Sequence, residues 1–548
     1  MTALVILGIY LGLLVLLGAL AGRLSRGTSA DFQLASHSIG PVLLLMSLFG
    51  TTMTAFALVG STAEAYRRGS AVYGLLAAGS GIVHSACFYF IGTRLWAWSR
   101  QHGYRTQIEF FRDRLQSRLV AAVLFPVLVG LVVPYLLVGV LGGGEVASQV
   151  TAGAFAPSGT FPGWFAASNH GLPRPLASAV ICLVVLAYVF IGGMRGTTWA
   201  NALQTLIFIT LGLVTFLVVA RGVGGGDSLW ASLVTASAAV PPDKLGTAGV
   251  PKLVWFGYLL VPLSVGMFPH VFQHWLTAKT AASFKLPIVG QPLCIAAVWA
   301  PCVLIGLWAT TPAAGLPVGA RDNEILGLMV ARHAGPVLSG LLAAGVLAAV
   351  MSSLDSQFLC LGTLFARDLV PGLTASGRLS ERAAVRLSRG FIVAVVVATW
   401  LLSLVTPTGV FSLGVWCFSG FAALFPLVAA AVFWRRLSAP AAVAAVVTTA
   451  ATWAGLFWHS GFGTAKGYAF PPLPGSDAAL GLGVIGSLGH VLPPLPPVVL
   501  LVGLSTILLV GVSLLTRPPD EATLERFVPR DGRGPWSCPN GGRRKWRP

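Results

Sequence analysis

Between Gly345 and Asp368 an otherwise apolar run, GVLAAVMSSLDSQFLCLGTLFARD, carries Ser352, Ser353 and Ser356, with Asp355 among them. Polar groups at membrane depth are costly unless they face protein or water. On a helix, Ala349, Ser352, Ser353 and Ser356 stand at i, i+3, i+4 and i+7, which is one face. Two hydroxyls with a carbonyl one turn back offer neutral oxygens, the ligands a small hard cation takes. An uncharged site also releases its ion, as a transport cycle requires. Serines in membrane helices have a second use, bonding back to their own i−4 carbonyl or letting helices pack closely.

Two other apolar stretches are interrupted in a way that suits such a site. In GPVLLLMSLFGTTMTAFALVGSTAEAYRRG, Gly50, Thr51, Thr52, Thr54, Gly60, Ser61 and Thr62 weaken the helix and add polar groups. In LVWFGYLLVPLSVGMFPHVFQHWLTAK, Pro262, Gly266 and Pro269 remove backbone bonds and kink the chain. Broken helices survive at membrane depth only where protein or a cavity covers the freed backbone, and in inverted-repeat transporters they mark the binding site. The residues beside the breaks, Thr51, Thr52, Thr54, Ala55 and Phe268, are therefore solute-binding candidates. His84, an intramembrane histidine that also suits simple packing, joins them.

These elements need a membrane around them. The chain has 548 residues, 55% hydrophobic and 9% charged; soluble domains carry about 25% charged residues. The fold class expected is an all-α polytopic membrane protein. Thirteen spans of about 20 residues are counted, near 2–22, 40–66, 72–93, 118–142, 176–192, 197–220, 253–275, 287–310, 336–366, 389–405, 408–433, 438–459 and 497–516. The first has its arginines, Arg23 and Arg26, behind it, so it reads as an uncleaved span and not a signal peptide. Segment 460–496, rich in Pro and Gly, reads as an outer loop, and the basic tail 517–548 reads as disordered. With the N-terminus outside and the C-terminus cytoplasmic, 26 of the 35 Lys and Arg fall on the inner side, as the positive-inside rule asks of a cell-membrane protein. The formal charge of +18 is thus explained by loops, and nucleic acid is not a partner. Six of the seven cysteines lie in apolar runs with no metal or disulfide spacing.

The broken spans two and seven lie five spans apart, the offset of two five-helix repeats of opposite topology. The organisation expected is 1–38 for the first span and inner loop, 39–220 and 221–436 for the two inverted repeats, 437–516 for two peripheral helices and their outer loop, and 517–548 for the tail.

The run AAVMSSLDSQFLCLGTLFARDLV resembles the core-helix signature of the sodium:solute symporter family, which includes bacterial proline and sugar symporters. GPVLLLMSLFGTTMTAFALVG resembles its first core helix, and GGMRG with Trp199 resembles a third signature. The resemblance covers about residues 30–440 and implies a five-plus-five, leucine-transporter-like core. It implies a sodium site made by Gly50 and Met53 through their carbonyls, by Ala349, and by the hydroxyls of Ser352 and Ser353. Three places depart from the family, the first being Gln273 and His274, which occupy the region where members often have an Arg shortly after Pro-His. Thr52 stands where proline symporters carry an aspartate, and Asn201 where members often have an acid near the ion's inward exit.

The function expected is sodium-coupled symport of a small organic solute, an amino or organic acid favoured, with Na+ as coupling ion and no organic cofactor. A monomer suffices for that, and the bilayer and the solute are the partners. A proton-coupled transporter of the same fold, or a solute sensor without productive transport, is the alternative. A P-loop for an ATP-driven pump is not found, and the intramembrane titratable groups show no catalytic constellation, so an enzyme is not expected.

Overall fold

The structure, a computed structural model, describes residues 1–24, 28–155, 165, 168–246, 252–317, 319–373, 380–465 and 495–530. Helices dominate the described residues, and an isolated β-bridge joins Ile39 to Ala278. Among the described residues nine helices are long and apolar enough to cross a membrane, or eleven spans if each of two bent pairs is one. Arg174–Gly224, at 51 residues, exceeds the length of one span. It is broken at Gly193, whose φ of 52° and ψ of −148° are not helical. Tyr188 and Asn201, about 20 Å apart on a straight helix, both reach the Asp355 carboxylate. The chain therefore folds back at Gly193, and the expected spans five and six are its arms. A side chain at Gly193 would meet Phe32 at 2.6 Å, so both the turn and its neighbour require glycine. Span three is Ala71–Cys87 with a π turn at Phe88–Gly92, and the helix Thr93–His102 follows it beyond the span.

Both expected breaks are present. Pro41–Thr52 and Phe56–Arg68 are bent by 59°, and Lys252–Gly266 and Pro269–Leu276 by 46°. Met53 and Phe268 leave the helical region at the two bends, with ψ of 114° and 118°. Pro269 opens the second half of span seven at the helix start, where its missing N–H costs nothing.

Two expectations are corrected. Span four, expected to end near 142, runs on as the helix Arg118–Val150 and takes in the Gly142–Gly144 run. Glycine is a poor helix former, but here it admits close packing: a Cβ on Gly142 would lie 2.4 Å from that of Ala55, beside the break of span two. The tail is not wholly without structure, because Glu521–Phe527 is a helix capped by Asp520 and docked through buried Leu524 and Phe527. Residues 531–548 and most of the 460–496 segment lie outside the described residues.

Candidate ion and solute site

Span nine, Pro336–Leu364, is buried along nearly all of its length, so its serines face protein on every side. Ser352 Oγ lies 2.8 Å from the carbonyl of Gly50 and 2.9 Å from that of Ala349. The bend after Thr52 is the cause, since the last carbonyls of a helix lose their intrahelical partners. Three oxygens thus converge, with one hydroxyl proton to share between two carbonyls. Gly50 allows the approach of span six: a Cβ there would lie 2.6 Å from Thr205 Oγ1, which itself donates to Met46 O at 2.9 Å. Ser353 Oγ donates to Val350 O at 2.9 Å, one turn back on its own helix. Met53 sits at the bend and also lines the cavity described next.

That cavity, about 40 Å³, lies between the two breaks. Its volume gives room for a few waters and is too small for an amino acid. Of the solute candidates, Thr52, His84 and Phe268 line it. Thr51, Thr54 and Ala55 are buried away from its lining: Thr54 Oγ1 accepts from Phe56 N at 3.0 Å, and Ala55 faces Gly142. The Thr52 hydroxyl donates back to Leu48 O and Phe49 O, both at 3.0 Å, and accepts from Gln291 Nε2 at 2.9 Å. Gln291 Oε1 is buried without a partner. The walls are aromatic. Phe56 stacks on Phe411 at 5.0 Å, and Tyr135 meets Phe418 edge-on at 5.0 Å. The sequence reading missed Tyr135, Trp299 and Phe418, because aromatics in continuous apolar runs carry no local signal.

A second cluster, also unforeseen, adjoins the serine face. Asp355 is fully buried. Tyr188 Oη donates to its Oδ2 at 2.8 Å and Ser356 Oγ to its Oδ1 at 2.9 Å. With the Asn201 amide turned so that its oxygen faces Ser356 Oγ, its nitrogen donates to Asp355 Oδ2 at 2.9 Å. Asn201, where the resemblance implies an acid, therefore touches an acid supplied by span nine. Among the described residues no Lys or Arg pairs with Asp355. Across the cluster, His274 bonds Ser47 Oγ at 2.7 Å and Ser356 Oγ at 3.0 Å, joining both broken spans to span nine. Its neighbour Gln273 turns away, donating to Gln33 O and Thr363 Oγ1.

A family model described as "Sodium:solute symporter family" matches residues 32–448. A sodium/proline symporter of Haemophilus influenzae is 24% identical over 491 residues, 85% of this chain and 92% of that protein. The osmoregulated proline transporter OpuE of Bacillus subtilis is 24% identical over 458 residues, 81% of this chain and 87% of that protein. Among solved structures, a substrate-bound, outward-open Na+-coupled sialic acid symporter superposes with a TM-score of 0.70 at 16% identity, covering 95% of this chain and 99% of that one. A nucleobase-cation-symport-1 family transporter in a closed conformation gives 0.54 at 12% identity, covering 90% and 97%. The last two are likenesses of fold.

Proposed function

Because the chain belongs to the sodium:solute symporter family, we propose that it carries a small organic solute across the membrane together with sodium, by alternating access. The observation that carries this reading is the convergence of Ser352 Oγ with the carbonyls of Gly50 and Ala349. Three oxygens sharing one proton hold a partial negative charge that a monovalent cation relieves. In this reading Ser353 and Met53 complete the set when the cycle brings them to the ion. Sodium then ties span two to span nine, and Met53, which also borders the cavity, links ion and solute.

The solute binds between the breaks once the small cavity there widens in the cycle, against the aromatic walls, with Thr52 and His84 as polar partners. No Lys or Arg is among the lining residues. The ends of the half-helices offer partial charge for a carboxylate instead. An amino or organic acid is favoured, in keeping with relatives named as proline symporters. Thr52 in place of their aspartate speaks against simple transfer of proline as the substrate. The N-terminus lies outside and the C-terminus inside, as the distribution of Lys and Arg asks.

A proton as coupling ion is the second reading, favoured by Asp355, a buried carboxylate with neutral partners. Uptake of a panel of labelled amino and organic acids into proteoliposomes, driven by a sodium gradient or by a pH gradient alone, separates the two. Sodium-driven accumulation is the expected result. Accumulation driven by pH with sodium absent replaces sodium by the proton, and binding of a solute with no accumulation under either gradient leaves a sensor.

A further inference from the structure

The tail helix Glu521–Phe527 docks on the side of the protein that carries the C-terminus. Phe527 is 2% exposed and meets Trp98 and Phe110 edge-on, with ring centres 5.7 and 5.8 Å away. Asp520 accepts from Gln116 Nε2 at 2.9 Å, at the end of the Gln107–Leu115 helix. Arg526 donates to Tyr104 Oη and His102 Nε2, both at 3.1 Å. From the loop between spans eleven and twelve, Arg435 bonds Glu521 at 2.5 Å and Glu525 at 2.8 Å.

The Gln107–Leu115 helix and the residues just before it are also held by three other elements of the protein. Glu109 pairs with Arg367 at 2.9 Å, and Thr106 donates to Asp368 at 3.0 Å, both just beyond span nine. Arg105 reaches Ser29 and Gln33 in the short helix Ser29–Leu34 after span one. Gln107 Nε2 donates to Met267 O at 3.3 Å, inside the break of span seven and next to Phe268 of the cavity wall. One short helix therefore lies between the tail and the break.

We propose that residues 520–528 form a latch. Docked, they clamp the Gln107–Leu115 helix against span nine and the span-seven break and keep the C-terminal side closed. Released, they let that helix move and the side open. Gln107 is the positioning residue of this device, since it carries the clamp to Met267. The proposal rests on the alternating-access reading, but its test needs neither solute nor sodium.

The test is amide hydrogen exchange of the full-length protein in lipid nanodiscs, comparing the parent with Phe527→Ala and Phe527→Asp. The second variant puts a charge between Trp98 and Phe110 and cannot dock. Amides of 107–115 are expected to exchange at least about tenfold faster in Phe527→Asp, and by an intermediate factor in Phe527→Ala, while those of 439–459 keep their rates. Unchanged exchange over 107–115 in Phe527→Asp overturns the latch. So does a uniform rise that includes 439–459, which marks a loss of overall stability and not release of one helix. Transport tests failing alongside a positive exchange result would discredit the transport reading and leave the clamp standing.

Discussion

The two broken spans use one device with different anchors. The bend of span two is held at Gly50 by a hydroxyl from span nine, deep within the protein. The bend of span seven is held at Met267 by the amide of Gln107, which comes from outside the spans. Each freed carbonyl needs a donor, because lipid supplies none. The first donor belongs to the proposed ion site. The second belongs to a helix that also carries contacts of the tail helix. The difference suggests a division of labour, with span two answering to the ion and span seven to the opening of the C-terminal side.

The harshest way to break this comparison is at Gly50. Gly50→Val adds a branched side chain where a single Cβ already lies 2.6 Å from Thr205 Oγ1. Spans two and six must separate, so stabilisation by sodium should vanish, with a loss of about 1–3 kcal/mol expected for overpacking. Thermal unfolding with and without sodium checks this; an intact sodium response would show that the approach at Gly50 is not part of the site.

Next comes Gln107→Leu, which leaves the Met267 carbonyl without its donor at a cost of about 1–3 kcal/mol. Solute affinity should fall about tenfold or more, while the sodium needed at saturating solute stays the same. Equal changes in both constants would erase the distinction between the two breaks.

Asn201→Asp should act less on binding than on rate. It sets a second carboxylate about 3 Å from Asp355, and two like charges so close favour a bound cation between them or a shared proton. Sodium release, followed by stopped-flow counterflow, should slow by more than equilibrium sodium affinity changes. A large affinity change with unaltered release contradicts this.

The breaks themselves were legible in the sequence, because Gly and Thr in span two and Pro in span seven are local signals of a failing helix. The serine face was legible as a spacing. Ser352 against Gly50 came from family resemblance, since no periodicity tells which neighbour a face meets. The Asp355 cluster was not legible, for Tyr188 and Asn201 come together only when the chain folds back at Gly193. The tail helix was hidden too. Its seven residues are too few for a periodic signal, and the Pro, Gly and Arg around them dominate the composition.

The smallest effect expected is one of pH on the tail. Burial and the nearby Arg526 hold the docked His102 below its ordinary 6.5. The groups facing it are Arg526, Asp113, Tyr104 and Phe527. A proton binds the undocked imidazole more readily, so docking is unaffected above about pH 6.5 and weakens as pH falls through that value. Exchange over 521–527, corrected for its intrinsic pH dependence, should rise severalfold between pH 7.5 and about 5.5, and His102→Gln should remove the rise. A rise that persists in His102→Gln assigns the titration to another group.

The central claim, a sodium site at the meeting of Gly50, Ala349 and Ser352, is tested most directly by sodium titration of thermal stability at constant ionic strength. The proteins compared are the parent, Ser352→Ala, Ser353→Ala and Ser356→Ala. Alanine removes a ligand and keeps the helix, being the better helix former. Losing one ligand is expected to cost about 1–3 kcal/mol. Ser352→Ala should therefore need roughly tenfold to a hundredfold more sodium for half its stabilisation. Ser353→Ala should need somewhat less of an increase and Ser356→Ala least. Identical sodium responses in the parent, Ser352→Ala and Ser353→Ala would contradict the account.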